Sequence, residues 1–145
     1  MFAFSLQTVL EVRERLEKIK YKEFSSELLE RQKLESEIER NRQGLAGSGE
    51  KIDRLRHAGT TAAALQLYDR YRERLEAQNE LLGEQLRTRE QALEEKRKEL
   101  VEARRAHRAL EILRDKEKVR YDNEQTRRER MVMDEVASNY HIFRN

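Results

Sequence analysis

The chain has 145 residues, of which 41% are charged and 37% hydrophobic, with a net charge of only +2 and a mean hydropathy of -1.05. Soluble globular domains are roughly a quarter charged and nearly half apolar. This composition therefore excludes a thick core, and the near-balance of charge with regularly recurring apolar residues argues against disorder. Long helices with a narrow apolar seam remain.

With no cysteine there is no disulfide framework and no thiolate metal site, and with no proline the commonest helix breaker is missing. The longest apolar runs fall far short of the ~20 residues that span a bilayer. The opening Met1-Phe2-Ala3-Phe4-Ser5-Leu6 carries neither a basic leader nor an apolar signal core, so the expected location is cytoplasmic.

In chain order, a first helix is expected over about 2–56. Ile38, Leu45 and Ile52 are seven apart, with Leu34 and Leu55 as companions. Upstream, Leu6, Leu10, Leu16, Ile19, Phe24 and Leu28 continue an apolar stripe whose frame drifts, which reads as a stutter. Gly44, Gly47 and Gly49 make a weak point at 44–49, since each glycine costs a helix roughly 1 kcal/mol relative to alanine. A turn is expected over about 57–61, with Gly59 in the left-handed cap conformation and Thr60 or Thr61 capping the next helix.

The second helix is expected over about 62–140. Alternate steps of three and four from Leu65 meet Tyr68, Arg72, Leu75, Asn79, Leu82, Leu86, Arg89, Leu93, Lys96, Leu100, Ala103, His107 and Leu110. An unslipping seven-residue repeat implies a left-handed supercoil against a partner helix, and the polar interruptions cost stability while helping to fix register. The fold class is therefore all-α, a long two-helix antiparallel coiled-coil hairpin forming a single domain over 1–145. A tip near residue 58 places Ile52 opposite Leu65, Ile38 opposite Asn79, Phe24 opposite Leu93 and Leu10 opposite His107. At ~1.5 Å per residue the paired part would be on the order of 80 Å long. Residues after about Lys118 would overhang and fray in isolation, carrying a stripe of Val132 or Met133, Val136, Tyr140 and Phe143 with no internal cover.

Chemistry-bearing motifs are few. Gly44 and Gly49 have the spacing of a P-loop, but Glu50 stands where lysine is required and Lys51 where the hydroxyl belongs. His57, His107 and His141 are scattered, and none has a second histidine four residues away. The carboxylates alternate with Lys and Arg, as on a solvated helix face. With 29 acids interleaved among 31 bases there is no concentrated basic stripe for nucleic acid. No cofactor, metal or catalytic site is expected. Leu67 and Tyr71 flank Tyr68 just after the turn and read either as edges of the seam or as a docking patch for a partner.

The opening Phe2-Ala3-Phe4-Ser5-Leu6-Gln7-Thr8-Val9-Leu10-Glu11-Val12-Arg13 resembles the start of FliJ proteins of the flagellar type III export apparatus. So do Gly59 followed by Leu65-Gln66-Leu67-Tyr68-Asp69-Arg70-Tyr71 and Leu75, and the late Met133-Asp134-Glu135-Val136-Ala137. The resemblance implies a non-enzymatic stalk similar to the central shaft of rotary ATP synthases, monomeric alone and peripherally associated with the inner-membrane apparatus. Its implied partners are the hexameric export ATPase (FliI-like), the export-gate protein (FlhA-like) and export chaperones. By motif, the ATPase-binding residues would be Phe2, Phe4, Leu6, Met133, Asp134, Glu135 and Val136, and the gate-binding patch Leu67, Tyr71 and Leu75. Family members often carry glutamine or aromatic residues where this chain has its glycine cluster. An injectisome-type stalk and a generic homodimerising coiled-coil spacer are the alternative readings.

Overall fold

The computed structural model describes residues 1–144, and those residues form two helices, α1 (Gln7–Ala58) and α2 (Ala62–Arg144), with no strand. The helices pack on each other as an all-α hairpin. Gly59 adopts φ +81, a conformation that costs a residue with a Cβ about 1–2 kcal/mol. Thr61 then caps α2, its Oγ1 accepting the Ala64 amide at 3.3 Å. At the other end α1 starts at Gln7 rather than near Phe2, because Phe4 turns inward to 8% exposure and its carbonyl accepts the Gln7 amide at 3.2 Å. The glycine cluster does not interrupt α1. Ser48 and Ile52, each 4% exposed, anchor that stretch against α2, and their burial outweighs the local weakness.

The chain packs as two units, one formed by Lys20–Leu100 and the other by Met1–Ile19 with the described residues from Val101 onward. In the first, Ile38, Ile52, Leu75, Leu93 and Leu100 are buried. The α1 side of this seam also includes Phe24, Leu34, Leu45 and Leu55, all half-buried, together with Lys20, Glu27, Arg31, Asn41 and Ser48. These positions keep one frame of sevens, so the stutter expected in the first helix is absent. The apparent drift came from polar residues in seam positions and from Ile19, which is 52% exposed and lies off the seam.

Polar partners hold that seam in register. Asn41 Nδ2 donates to Asn79 Oδ1 at 2.9 Å, and Asn79 Nδ2 reaches the Ile38 carbonyl at 3.4 Å. Asn79 thus meets Ile38, the residue that a tip at residue 58 places opposite it, and also Asn41 about one turn further on. Lys20 Nζ donates to Glu99 at 3.2 Å and Lys96 Nζ to Glu23 at 3.2 Å, while contacts of 3.5 Å along each helix close the four into a ring. Arg89 bridges to Glu27 at 3.3 Å. One seam group is left over: Arg72 Nε is enclosed without a hydrogen-bond partner.

In the unit that holds the N-terminus, Leu10 is 3% exposed, Phe4 8% and Ala103 6%. His107 meets Glu17 at 2.6 Å through Nδ1 and Glu111 at 3.3 Å through Nε2, so Glu17, rather than Leu10, faces it. Beyond Tyr121 the described side chains are exposed apart from a half-buried Gln125, yet α2 stays helical to Arg144. With no glycine after Gly83 and no proline, nothing in that stretch interrupts the ladder of backbone hydrogen bonds.

The Lys20–Glu23–Lys96–Glu99 ring gives a pH dependence. The hydrogen bond from Lys20, with the lysine charges beside it, holds the Glu99 carboxyl below its ordinary 4.5. A depressed folded pKa contributes stability that is complete above the unfolded value and lost as pH falls through the folded one. Glu99→Gln should therefore lower Tm at neutral pH and leave a shallower fall of Tm on acidification than the unsubstituted protein shows. Parallel curves from circular dichroism melts across pH 7 to 3 would contradict this.

Candidate functional site

Two surfaces carry the residues singled out by sequence. The first surrounds the N-terminal segment. Residues 1–4 lie outside α1 and run against α2: the Phe2 ring sits 5.6 Å from Tyr121, and the Met1 amine donates to the Tyr121 hydroxyl at 2.9 Å. An offset aromatic pair of this kind adds about 0.5–1.5 kcal/mol beyond its buried area. Phe2 and Phe4 are thus packing residues that fix the segment. Leu6, at 37% exposure, reaches solvent, as does Met1.

On α2, Met133 is 70% exposed and Val136 59%, with Tyr140 at 65% continuing the stripe; Asp134 and Glu135 are exposed beside them. The residues expected to face the ATPase therefore divide into a packed pair, half-buried Phe2 and buried Phe4, and a presented set, Leu6 with Met133–Val136.

The second surface lies next to the turn. Leu67 is 68% exposed and Tyr71 38%, but Leu75 is 7% exposed and belongs to the seam. The reason is on α1. A Cβ built on Gly44 would stand 3.1 Å from Leu75 Cδ1 and 3.1 Å from the Tyr71 hydroxyl, so the missing side chain is what lets Leu75 and Tyr71 approach this closely. Gly47, one turn on, has open space where its Cβ would be. Gly44, Gly47, Ser48 and Lys51 of α1 and Ala64, Leu67, Tyr68 and Tyr71 of α2 enclose a groove of about 510 Å³. The Arg74 guanidinium lies 5.6 Å from the Tyr71 ring centroid and steadies it through a cation–π contact.

The groove was not anticipated from the sequence, where the glycines read as a weak point. Its signal was present: extending the sevens of Ile38, Leu45 and Ile52 puts Gly44 and Gly47 beside the seam, on the side that Tyr71 faces. Among the described residues no group of three or more His, Asp or Glu side chains is placed to hold a metal ion, and no helix is long and apolar enough to cross a membrane.

A two-helix all-α hairpin is the fold that the resemblance implied. The flagellar FliJ protein family matches residues 2–145, essentially the whole chain. The chain belongs to the FliJ family. No curated protein and no solved structure matches it significantly. Family membership makes it a component of the flagellar type III export system, and the FliJ family is a non-catalytic one.

Burial separates packing from presentation, and stability measurements should show the difference. Phe4→Ala should cost about 2–4 kcal/mol in urea unfolding, as for a buried aromatic in a thin core. Val136→Ala should stay within about 0.5 kcal/mol, as for an exposed residue. Equal effects would mean that one of the two side chains is misplaced.

Proposed function

We propose that this protein is the central stalk of the hexameric flagellar export ATPase, that it promotes assembly and activity of the ring, and that it couples the ring to the export gate and to export chaperones. The family match over residues 2–145 of a two-helix hairpin carries this reading. The exposed set Met133, Asp134, Glu135 and Val136, with Leu6, supplies the ATPase contact, and Phe2 and Phe4 act by holding the N-terminal segment in place. Leu67 and Tyr71 supply the gate contact, with Leu75 as their support from below.

The mechanism follows from symmetry. One hairpin inside a ring of six cannot touch every subunit alike, so it biases their nucleotide states through unequal contacts. Binding the hexamer better than the free subunit is sufficient to drive assembly by mass action. Neither role asks the stalk for chemistry of its own. Alone, the hairpin satisfies its seam internally and should be a monomer by light scattering; a dimer would favour the spacer reading.

The functional test adds the purified protein to the export ATPase of the same organism and follows hydrolysis and ring assembly together. Stimulated hydrolysis with more hexamer is expected. Met133→Asp combined with Val136→Asp should reduce stimulation to near the basal rate with helicity unchanged, whereas Leu67→Asp with Tyr71→Asp should leave it intact. Full stimulation by the folded Met133/Val136 variant would refute the assignment of that surface.

A further inference from the structure

The groove beside the turn has a charge pattern that the overall composition conceals. Gly44, Gly47 and Lys51 line it on α1 and Ala64, Leu67 and Tyr71 on α2; at helical spacings of three and four the same stripes continue beyond the groove to Arg40 and Arg54 on α1 and to Arg74 on α2. Arg40, Lys51, Arg54 and Arg74 are exposed. On these stripes no carboxylate falls between Arg40 and Arg54 or between Ala64 and Arg74; Glu37, one turn before Arg40, is the first on the α1 stripe. The acids of this stretch, Glu39, Glu50, Asp53, Asp69, Glu73 and Glu76, lie on other columns of the two helices, the nearest being Glu50 one column further round α1. An apolar hollow is therefore rimmed by basic side chains in a chain whose net charge is only +2.

The hollow itself is shaped by absence of side chains. Gly47 leaves its Cβ position open, Gly44 allows Tyr71 and Leu75 to close the floor, and Leu67, at 68% exposure, stands as one wall. Its volume of about 510 Å³ exceeds that of a single large side chain. Interfaces of this kind take their energy from one aromatic or aliphatic anchor in such a hollow, and a charged rim selects partners of opposite sign and speeds their encounter.

We propose that the Gly44–Gly47 groove is the receptor for a partner segment that inserts one large aromatic side chain flanked by Asp and Glu. This deepens the gate-contact reading of Leu67 and Tyr71, and rests on that reading for which protein supplies the segment. The glycines then have a positive role in this chain: they make room for the anchor. Lys51, Arg54 and Arg74 set the sign of the flanks.

The chain has no tryptophan, so a short synthetic peptide carrying one tryptophan between Asp and Glu residues reports its own binding by fluorescence. Saturable binding with a blue shift is expected, weakening as salt rises and lost when the flanks are changed to lysine. Gly47→Leu fills the hollow and should weaken binding about tenfold or more, as for loss of an interface anchor. Gly49→Leu is the matched control, since its Cβ position is also open and the gain in helix propensity is the same, but the residue lies outside the groove. Equal affinities for the two variants, equal binding of the lysine-flanked peptide, or no saturable binding would overturn the proposal. So would a dimer that Gly47→Leu disperses, because a second copy would then be the occupant. The same variants are titrated against the detergent-solubilised export-gate protein. Gate binding indifferent to Gly47→Leu refutes the groove and leaves the gate reading standing. Peptide binding without gate binding leaves the groove standing and refutes the gate reading.

Discussion

Asn41 and Asn79 meet in a seam whose buried residues in the Lys20–Leu100 unit are mostly Leu and Ile, and the register of that unit depends on that meeting. Leucine against isoleucine tolerates a slip of a heptad with little loss, because the hydrophobic effect has no direction. A carboxamide facing an aliphatic side chain does not. Its donors and acceptor would be left unpaired at about 1–3 kcal/mol per group, and the same slip would unmake the Lys20–Glu99, Lys96–Glu23 and Arg89–Glu27 pairs. Each exposed ion pair is worth little. Their common requirement for one alignment is what gives the set its weight, as with polar residues that specify register in other coiled coils.

The groove beside the turn is a consequence of that alignment. Gly44 admits Leu75 and Tyr71 only when it stands opposite them, and a slip of one heptad would bring Glu37 or Lys51 to the same place. The seam then carries the orphaned Arg72 Nε as an accepted cost close to the groove. The glycine cluster lowers local helix propensity without breaking the helix, since α1 runs through it.

Legibility in the sequence followed the purity of the pattern. In the second helix the apolar seam residues, from Leu65 and Tyr68 through Leu75, Leu82, Leu86, Leu93 and Leu100 to Ala103 and Leu110, outnumber the polar ones, and the frame could be stepped without ambiguity. In the first helix Glu17, Lys20, Glu27, Arg31, Asn41 and Ser48 occupy seam positions, so apolarity is a poor guide there and Ile19 and Leu28 divert the stripe. What makes those polar residues acceptable is a partner on α2, and a partner is a tertiary fact. The turn was legible because Gly59 and Thr61 act locally. The start of α1 was not, because it depends on Phe4 finding a place to bury and on Phe2 finding Tyr121. The same limit applies to function: a motif that lists Phe4 with Val136, or Leu75 with Leu67, cannot distinguish the residue that holds a surface from the residue that forms it.

Charge makes the last point. A chain with almost as many acids as bases looks uniformly solvated, and the ion pairs it forms run along one helix or across the seam. Helical spacing, however, sorts residues by angle and not by sequence distance. Around the turn it places Arg40, Lys51, Arg54 and Arg74 on one side and sends the neighbouring carboxylates to other columns. A binding face can therefore be strongly basic while the chain is almost neutral, and attraction to an acidic segment needs no excess of total charge. For a protein that meets several partners this matters, since a locally sorted face can discriminate among them where a uniformly charged surface would attract every acidic protein alike.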